Sequence, residues 1–405
     1  MIERRHVFYV EGDDPLGAEG YYQLFQRELK RFLAVWSLQA CLTDLGMDSY
    51  DIAHWNIEAK GPNWKVTTCY EFIRLEHFIR AKAAQPLVSQ LYRAVRWTID
   101  DLVSGATLST FRSSWRLALV LVYVQIMIVI WLNLAVMGGW LAAVLVSRVT
   151  GWSALFVFAI ALAIGLMALA ALRPLVDRLF VMRIATGWPD FRAYARGQTT
   201  EYDRPIDVLA TRIIAVVRAN KADEILIVGH SAGGGIAPAA IVRAIELDPK
   251  LGQYGPRIVL LTLGSLLSAF ALHPAAERVR TTIRRLAVER SLLWIDCQMP
   301  GDILSFWDFD PVEGAGVRVG AQRCNPFIWT IRLRGMLTKT VYQRLRWNCV
   351  RVHYQFIMAN EKRAPYDYFM LVCGPDAAVD LANRGRAKLV DKSRRYAVAK
   401  LYSFG

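Results

Sequence analysis

Charge is missing from two long stretches of the chain. Residues 117–147 contain no Asp, Glu, Lys, Arg or His, and after Arg148 the same holds for 149–172. A helix needs about 20 apolar residues to cross roughly 30 Å of hydrocarbon. The pattern therefore predicts a pair of spanning helices near 116–136 and 152–172, joined by a tip containing Gly138, Gly139 and Trp140. Trp115, Trp140 and Trp152 stand where interfacial aromatic side chains are expected.

Elsewhere the periodicity is that of an α/β unit. The run 6–10 reads as a buried strand. The turn Glu11-Gly12-Asp13-Asp14-Pro15 follows, and then a helix through about Phe32, with Tyr22, Leu24, Phe25, Leu29, Phe32 and Leu33 at helical spacing. A second strand is predicted at 64–69, and 70–111 reads as helical. Past the apolar pair, Pro205 opens a helix through about Ala219 and the strand 225–228 comes next. A helix over 233–247 and strands at 257–263 and 292–297 complete the pattern. Strands that alternate with helices and are nearly continuous in apolar residues indicate a mostly parallel sheet with helices on both faces. Residues 1–111 and 176–405 are then two parts of one folded unit, with 112–175 as a transmembrane helical hairpin inserted between them.

Composition sharpens this picture. The 405 residues hold 49 Lys and Arg against 35 Asp and Glu, and 54% are apolar while 21% are charged. So much apolar surface excludes intrinsic disorder. Six Cys in this length are too few for a disulfide framework, and none stands in a metal-ligand spacing, so reduced and mostly buried thiols are expected. Arg112 and Arg116 precede the apolar pair and Arg173, Arg178 and Arg183 follow it, whereas its tip carries only Arg148. The positive-inside rule then places both ends of the hairpin, and the folded unit, in the cytoplasm of a cell membrane. The opening Met1-Ile2-Glu3-Arg4-Arg5 leads into an apolar run too short for a secretory signal. The basic tail (Arg384, Arg386, Lys388, Lys392, Arg394, Arg395, Lys400) reads as a solvated helix face or a contact with anionic headgroups, and nothing in it suggests nucleic acid.

The segment that carries chemistry is Gly229-His230-Ser231-Ala232-Gly233. It follows an apolar strand and opens a small-residue helix, which is the setting of a nucleophile elbow. The turn is so sharp that its neighbours must be small, and it lifts the serine hydroxyl above the sheet at the positive end of a helix. A capping serine in a Gly-rich turn is the plainer alternative. The sequence Gly-His-Ser-Ala-Gly-Gly resembles the elbow of many lipases and thioesterases, and Thr262-Leu263-Gly264-Ser265 resembles the segment lipases carry after the next strand. The chain is thus similar to an α/β-hydrolase of the lipase/esterase type over about residues 6–33 and 205–375, with the membrane hairpin as an insertion.

That resemblance implies a set of site residues. A serine nucleophile needs a base, and the order in this fold is Ser, acid, His. Only His273 and His353 follow Ser231; His353, late in the chain, fits the order, and His273 reads as a helix-start or surface residue. His230 should point elsewhere. Asp302 resembles the usual acid, behind a Gly and shortly after a strand, with Asp310 in Asp-Pro-Val as the second candidate. The oxyanion hole would use the backbone N–H of Ala232 and that of Asp13. Glu11, Asp13 and Asp14 bring negative charge close to that hole; Asp13-Asp14 could also suggest a cation site, but two adjacent carboxylates read rather as a helix N-cap. The expected activity is cleavage of carboxylic esters, lipid-like because of the anchor, by an acyl-enzyme mechanism needing no cofactor or metal. Its partners would be the ester substrate and membrane lipids, with oligomeric state open. A thioesterase, an acyltransferase or a non-catalytic membrane-bound scaffold would use the same fold.

Overall fold

A computed structural model describes residues 1–389 apart from Asp13, Pro15, Asp48 and Thr199. Nine strands form one sheet: β1 (Arg4–Val10), β2 (Gln39–Leu42), β3 (Ile52–Gly61), β4 (Trp64–Ile73), β5 (Glu224–His230), β6 (Arg257–Leu263), β7 (Leu293–Gln298), β8 (Phe327–Thr330) and β9 (Lys388–Leu389). Their order is β2-β3-β4-β1-β5-β6-β7-β8-β9. The six central strands, β4 to β8, run parallel, while β2, β3 and β9 are antiparallel at the edges. The fold is α/β with a mostly parallel, mixed sheet.

Alternation along the strands divides the core into two layers. Phe8, Val10, Ile225 and Ile227 face the helices Val181–Ala195, Asp203–Ala219, Gly233–Leu247 and Glu277–Val288. Val7, Tyr9, Leu226 and Val228 face the helix Gly17–Trp36 and the segment from Leu333 to Ala387. Both faces are covered, which is why β1 and β5 read as unbroken apolar runs.

Two predicted features are corrected. The segment 70–111 is not helical from its start: β4 runs on to Ile73, and the helices are Glu76–Ala83, Leu87–Val103 and Ala106–Ser113. The hairpin also differs. Its first helix is continuous over Trp115–Thr150, and the second is Ala154–Arg178. Gly138, Gly139 and Trp140 lie inside the first helix, and the turn falls at Gly151, whose φ is 58°. The glycines do not break the helix because one of them is a packing site. A Cβ on Gly139 would come 2.6 Å from the Ala161 carbonyl oxygen, and one on Gly165 would come 3.2 Å from that of Ala135, so the two helices touch through backbone.

Both helices are long and apolar enough to cross a membrane. At 36 residues the first is about 54 Å long, well beyond the roughly 30 Å of hydrocarbon. The surplus is at its base, where Leu117, Leu121, Val124, Ile128 and Trp131 are buried in the core of the α/β unit. The base is held by the helices Leu87–Val103 and Val181–Ala195, which are themselves joined by the buried pair Asp101–Arg192 at 3.1 Å.

One buried carboxylate ties the sheet to its helices. Glu71 on β4 lies 3.0 Å from His6 Nε2 and accepts from the Arg212 guanidinium at 2.5–3.1 Å. Burial works to raise its pKa, but the His6 and Arg212 contacts outweigh burial and bring it to about 2. The folded value lies below the unfolded one, so the stabilisation is present above about pH 4.5 and is lost as pH falls towards 2. It amounts to something on the order of 3 kcal/mol. Glu71→Gln should therefore melt below wild type at pH 7, and the gap should close on acidification. Melting curves in detergent from pH 7 to 3 check this, and a gap that does not change with pH would refute it.

Candidate active site

Ser231 follows β5 directly and has a φ of 57°, a left-handed backbone that costs a non-glycine residue on the order of 1–3 kcal/mol. The surroundings hold it there. Its N–H donates to the Leu263 carbonyl (3.0 Å), and its own carbonyl accepts from the N–H groups of Gly234 (3.1 Å) and Leu266 (3.0 Å). A Cβ on Gly229 would stand 2.6 Å from the Gly233 carbonyl oxygen, and one on Gly233 would overlap the carbonyl oxygens of Val10 and Glu11. The helix Gly233–Leu247 begins at once, aiming its positive end at the turn. Among the described residues, no group accepts the Ala232 N–H.

His353 and Asp302 meet although 51 residues separate them. His353 is in the short helix Cys349–Tyr354, capped by the Asn348 side chain. Asp302 is in the loop after β7, turned inward by its own N–H donating to Met299 (3.0 Å). His353 Nδ1–H donates to Asp302 Oδ2 at 2.7 Å. The carboxylate also accepts from the Ser305 hydroxyl (2.6 Å) and the Leu304 N–H (3.0 Å). Burial pushes the Asp302 pKa up, yet the His353 imidazole and these donors overcome burial and hold it below the ordinary value. Asp302 thus stays an anion while fully buried. With Nδ1 committed as donor, Nε2 is the nitrogen left to accept; it is buried and has no partner among the described residues.

Ser231, Ala232 and His353 line one cavity of about 1010 Å³. Its walls come from both the α/β unit and the hairpin: Leu117, Leu121 and Tyr123 from the base of the first long helix, and Leu179 and Phe180 from the turn that follows the second. It is the chemistry of a hydroxyl at a helix N-terminus, a buried imidazole lone pair and an apolar chamber leading away from them.

The remaining predicted residues fall into place one by one. Asp310 is not the carboxylate that meets His353; it forms a bidentate pair with Arg323 at 2.6 and 2.7 Å and caps the Val312 N–H. His273 is buried, not on the surface, and pairs with Arg196 at 2.8 Å; burial and then Arg192 and Arg196 lower its pKa to about 4. His230 does not point away. Its ring stacks on that of His353 with centroids 4.9 Å apart, its Nε2–H donates to the His353 carbonyl (3.3 Å), and Tyr9 OH lies 3.4 Å from its Nδ1. Burial, then the neighbouring His353, lowers its pKa to about 3, so it remains a neutral ring that fixes the backbone carrying His353. Asp13 is outside the described residues. Asp14 caps the Leu16 N–H (3.1 Å) and lies 3.5 Å from Arg183, so its charge is offset.

Two contributors escaped sequence reasoning. Gly12 packs on the elbow: a Cβ there would come 2.8 Å from Ser231 Cβ and 3.5 Å from Ala232 N. Its position between the end of β1 and Asp13 was the available signal. Gly264 supports the other side; its φ is 51°, and a Cβ would come 3.1 Å from both Asp302 Oδ2 and His353 Cε1. Gly264→Ala should therefore separate the Asp302–His353 pair. The expected result is a fall in any His353-dependent rate of at least tenfold with the fold retained; the downfield Nδ1 proton in the NMR spectrum should weaken with it, and an unchanged resonance would refute it.

His6, Cys69 and Glu71 offer ligand-type atoms within 4.8 Å of one another. Glu71 is already engaged by Arg212 there, and burial pushes the Cys69 thiol up to about 11, so the thiolate a metal needs is disfavoured. No protein-family profile matches the chain, and no curated protein or solved structure matches it.

Proposed function

We propose that this protein is a membrane-anchored serine hydrolase that cleaves carboxylic esters of lipid-like substrates. The observation that carries the reading is the strained Ser231 sharing one largely apolar cavity with the Nε2 of an aspartate-bound histidine, a nitrogen with no partner among the described residues. Ser231 Oγ attacks the ester carbonyl while His353 Nε2 takes its proton, and Asp302 steadies the imidazolium. The Ala232 N–H stabilises the oxyanion. His353 returns the proton to the leaving alcohol, and water then enters by the same route to release the acid. The fold is read as an α/β-hydrolase variant whose sheet carries extra antiparallel edges. The hairpin crosses the bilayer with both ends cytoplasmic, as the arginines around its base favour, and sets the cavity at the membrane surface.

Labelling of the detergent-solubilised protein by a fluorophosphonate tests this. Wild type is expected to label covalently and Ser231→Ala not at all. Absence of labelling in folded wild type would sink the proposal and leave the scaffold reading.

A further inference from the structure

The cavity is not uniformly apolar. Four arginines line it, Arg116, Arg178, Arg183 and Arg346, against two carboxylates, Glu11 and Asp14. Asp14 is engaged by Arg183. Arg116 donates to the Pro300 carbonyl at 2.7 Å and lies over the rings of Trp115 and Trp307. Arg178 and Arg346 have no carboxylate partner among the described residues, and both are exposed. Arginines beside a spanning helix follow from topology alone. Arg346 does not: it comes from the segment leading into the His353 helix, far along the chain from the hairpin, and still faces the same cavity. Exposed Trp115, Trp307 and Trp347 accompany these arginines, Trp347 lying 4.9 Å under the Arg346 guanidinium. Guanidinium groups among exposed tryptophans are the composition of a headgroup-level surface.

We infer that the substrate is an anionic phospholipid ester, whose acyl chain occupies the apolar chamber and whose phosphate is held by Arg178 and Arg346. This rests on the hydrolase reading for the reaction, and on the cavity alone for binding. Guanidinium groups match phosphate oxygens in a planar, two-pronged geometry. A lipid without net charge would leave the excess positive charge of the lining uncompensated. The bond broken is the acyl carbon–oxygen bond. Water supplies OH to the acyl carbon and H to the released lysophospholipid oxygen, and the phosphate is untouched.

The test uses the full chain as Ser231→Ala in neutral detergent, so that binding is read without turnover. Affinity is measured for dioleoyl phosphatidylglycerol and for dioleoyl phosphatidylcholine, which share acyl chains. The anionic lipid is expected to bind roughly tenfold tighter. Arg178→Gln with Arg346→Gln should bring the ratio close to one, while Arg178→Lys with Arg346→Lys should keep most of it and shows that the site still folds. Inorganic phosphate at millimolar concentration should not displace the lipid; displacement would mark a free-phosphate site and overturn the inference. Equal affinity for the two lipids would overturn it as well. Wild-type labelling without lipid discrimination removes only the headgroup assignment, whereas discrimination without labelling removes only the hydrolase reading.

Discussion

Replacing His353 with alanine is expected to lower ester hydrolysis by about 10⁵- to 10⁶-fold, and adding Ser231→Ala should cost nothing further. The hydroxyl of Ser231 is hardly ionised at neutral pH, and the Nε2 lone pair is the base that the structure offers on the same cavity. On the proposed mechanism the two groups act as one unit, so their losses should not add. Asp302→Asn should cost less, about 10⁴-fold. The amide would donate to Nδ1 where the carboxylate now accepts at 2.7 Å, turning the ring into the wrong tautomer. The measurement is kcat/KM on a soluble aryl ester, with melting curves to show that each variant is folded. Activity of His353→Ala within tenfold of wild type would end the assignment of this residue.

Gly233→Ala is expected to have the largest effect on the fold itself, at least about 3 kcal/mol, at the upper end of what overpacking costs. The new methyl would meet the carbonyl oxygens of Val10 and Glu11. Those atoms are backbone at the end of β1, the strand paired on both sides with β4 and β5. They cannot withdraw as a flexible side chain could. Gly335→Ala is the natural control, since a Cβ there meets nothing within 4 Å; it should fall within about 0.5 kcal/mol of wild type. Detergent melting of the two variants side by side decides the matter. A Gly233→Ala protein that melts with wild type would mean that the elbow is looser than its geometry implies.

Several elements were legible in the sequence because local pattern and final environment agree. Helix Gly233–Leu247 and strand β6 fall on their predicted bounds. Both lie in the part of the chain where small-residue and apolar runs have one structural meaning. Strand β3 went unread, although Ala53, Trp55, Ile57 and Ala59 alternate with polar neighbours and all four are buried; its Ala and Glu content masks the period of two. The Gly138-Gly139 tip failed because glycine in an apolar helix also serves close packing, and only the partner helix reveals which use applies. Asp302 and Asp310 could not be separated from spacing alone. What decides between them is Arg323, which holds Asp310 from another segment.

The connection between β4 and β5 has a consequence for the order of assembly. Arg5 on β1 pairs with Glu224 on β5, and the entire hairpin is synthesised between them. Until β5 emerges from the ribosome, β1 can pair only with β4, and its other side is an open row of N–H and C=O groups. The apolar helices leave the ribosome before that row can be filled, so on the membrane reading proposed above they reach the bilayer ahead of the completed sheet. Gly12, made first, waits for Ser231 and then for His353. The site is therefore assembled from parts that become available at three separate moments of translation.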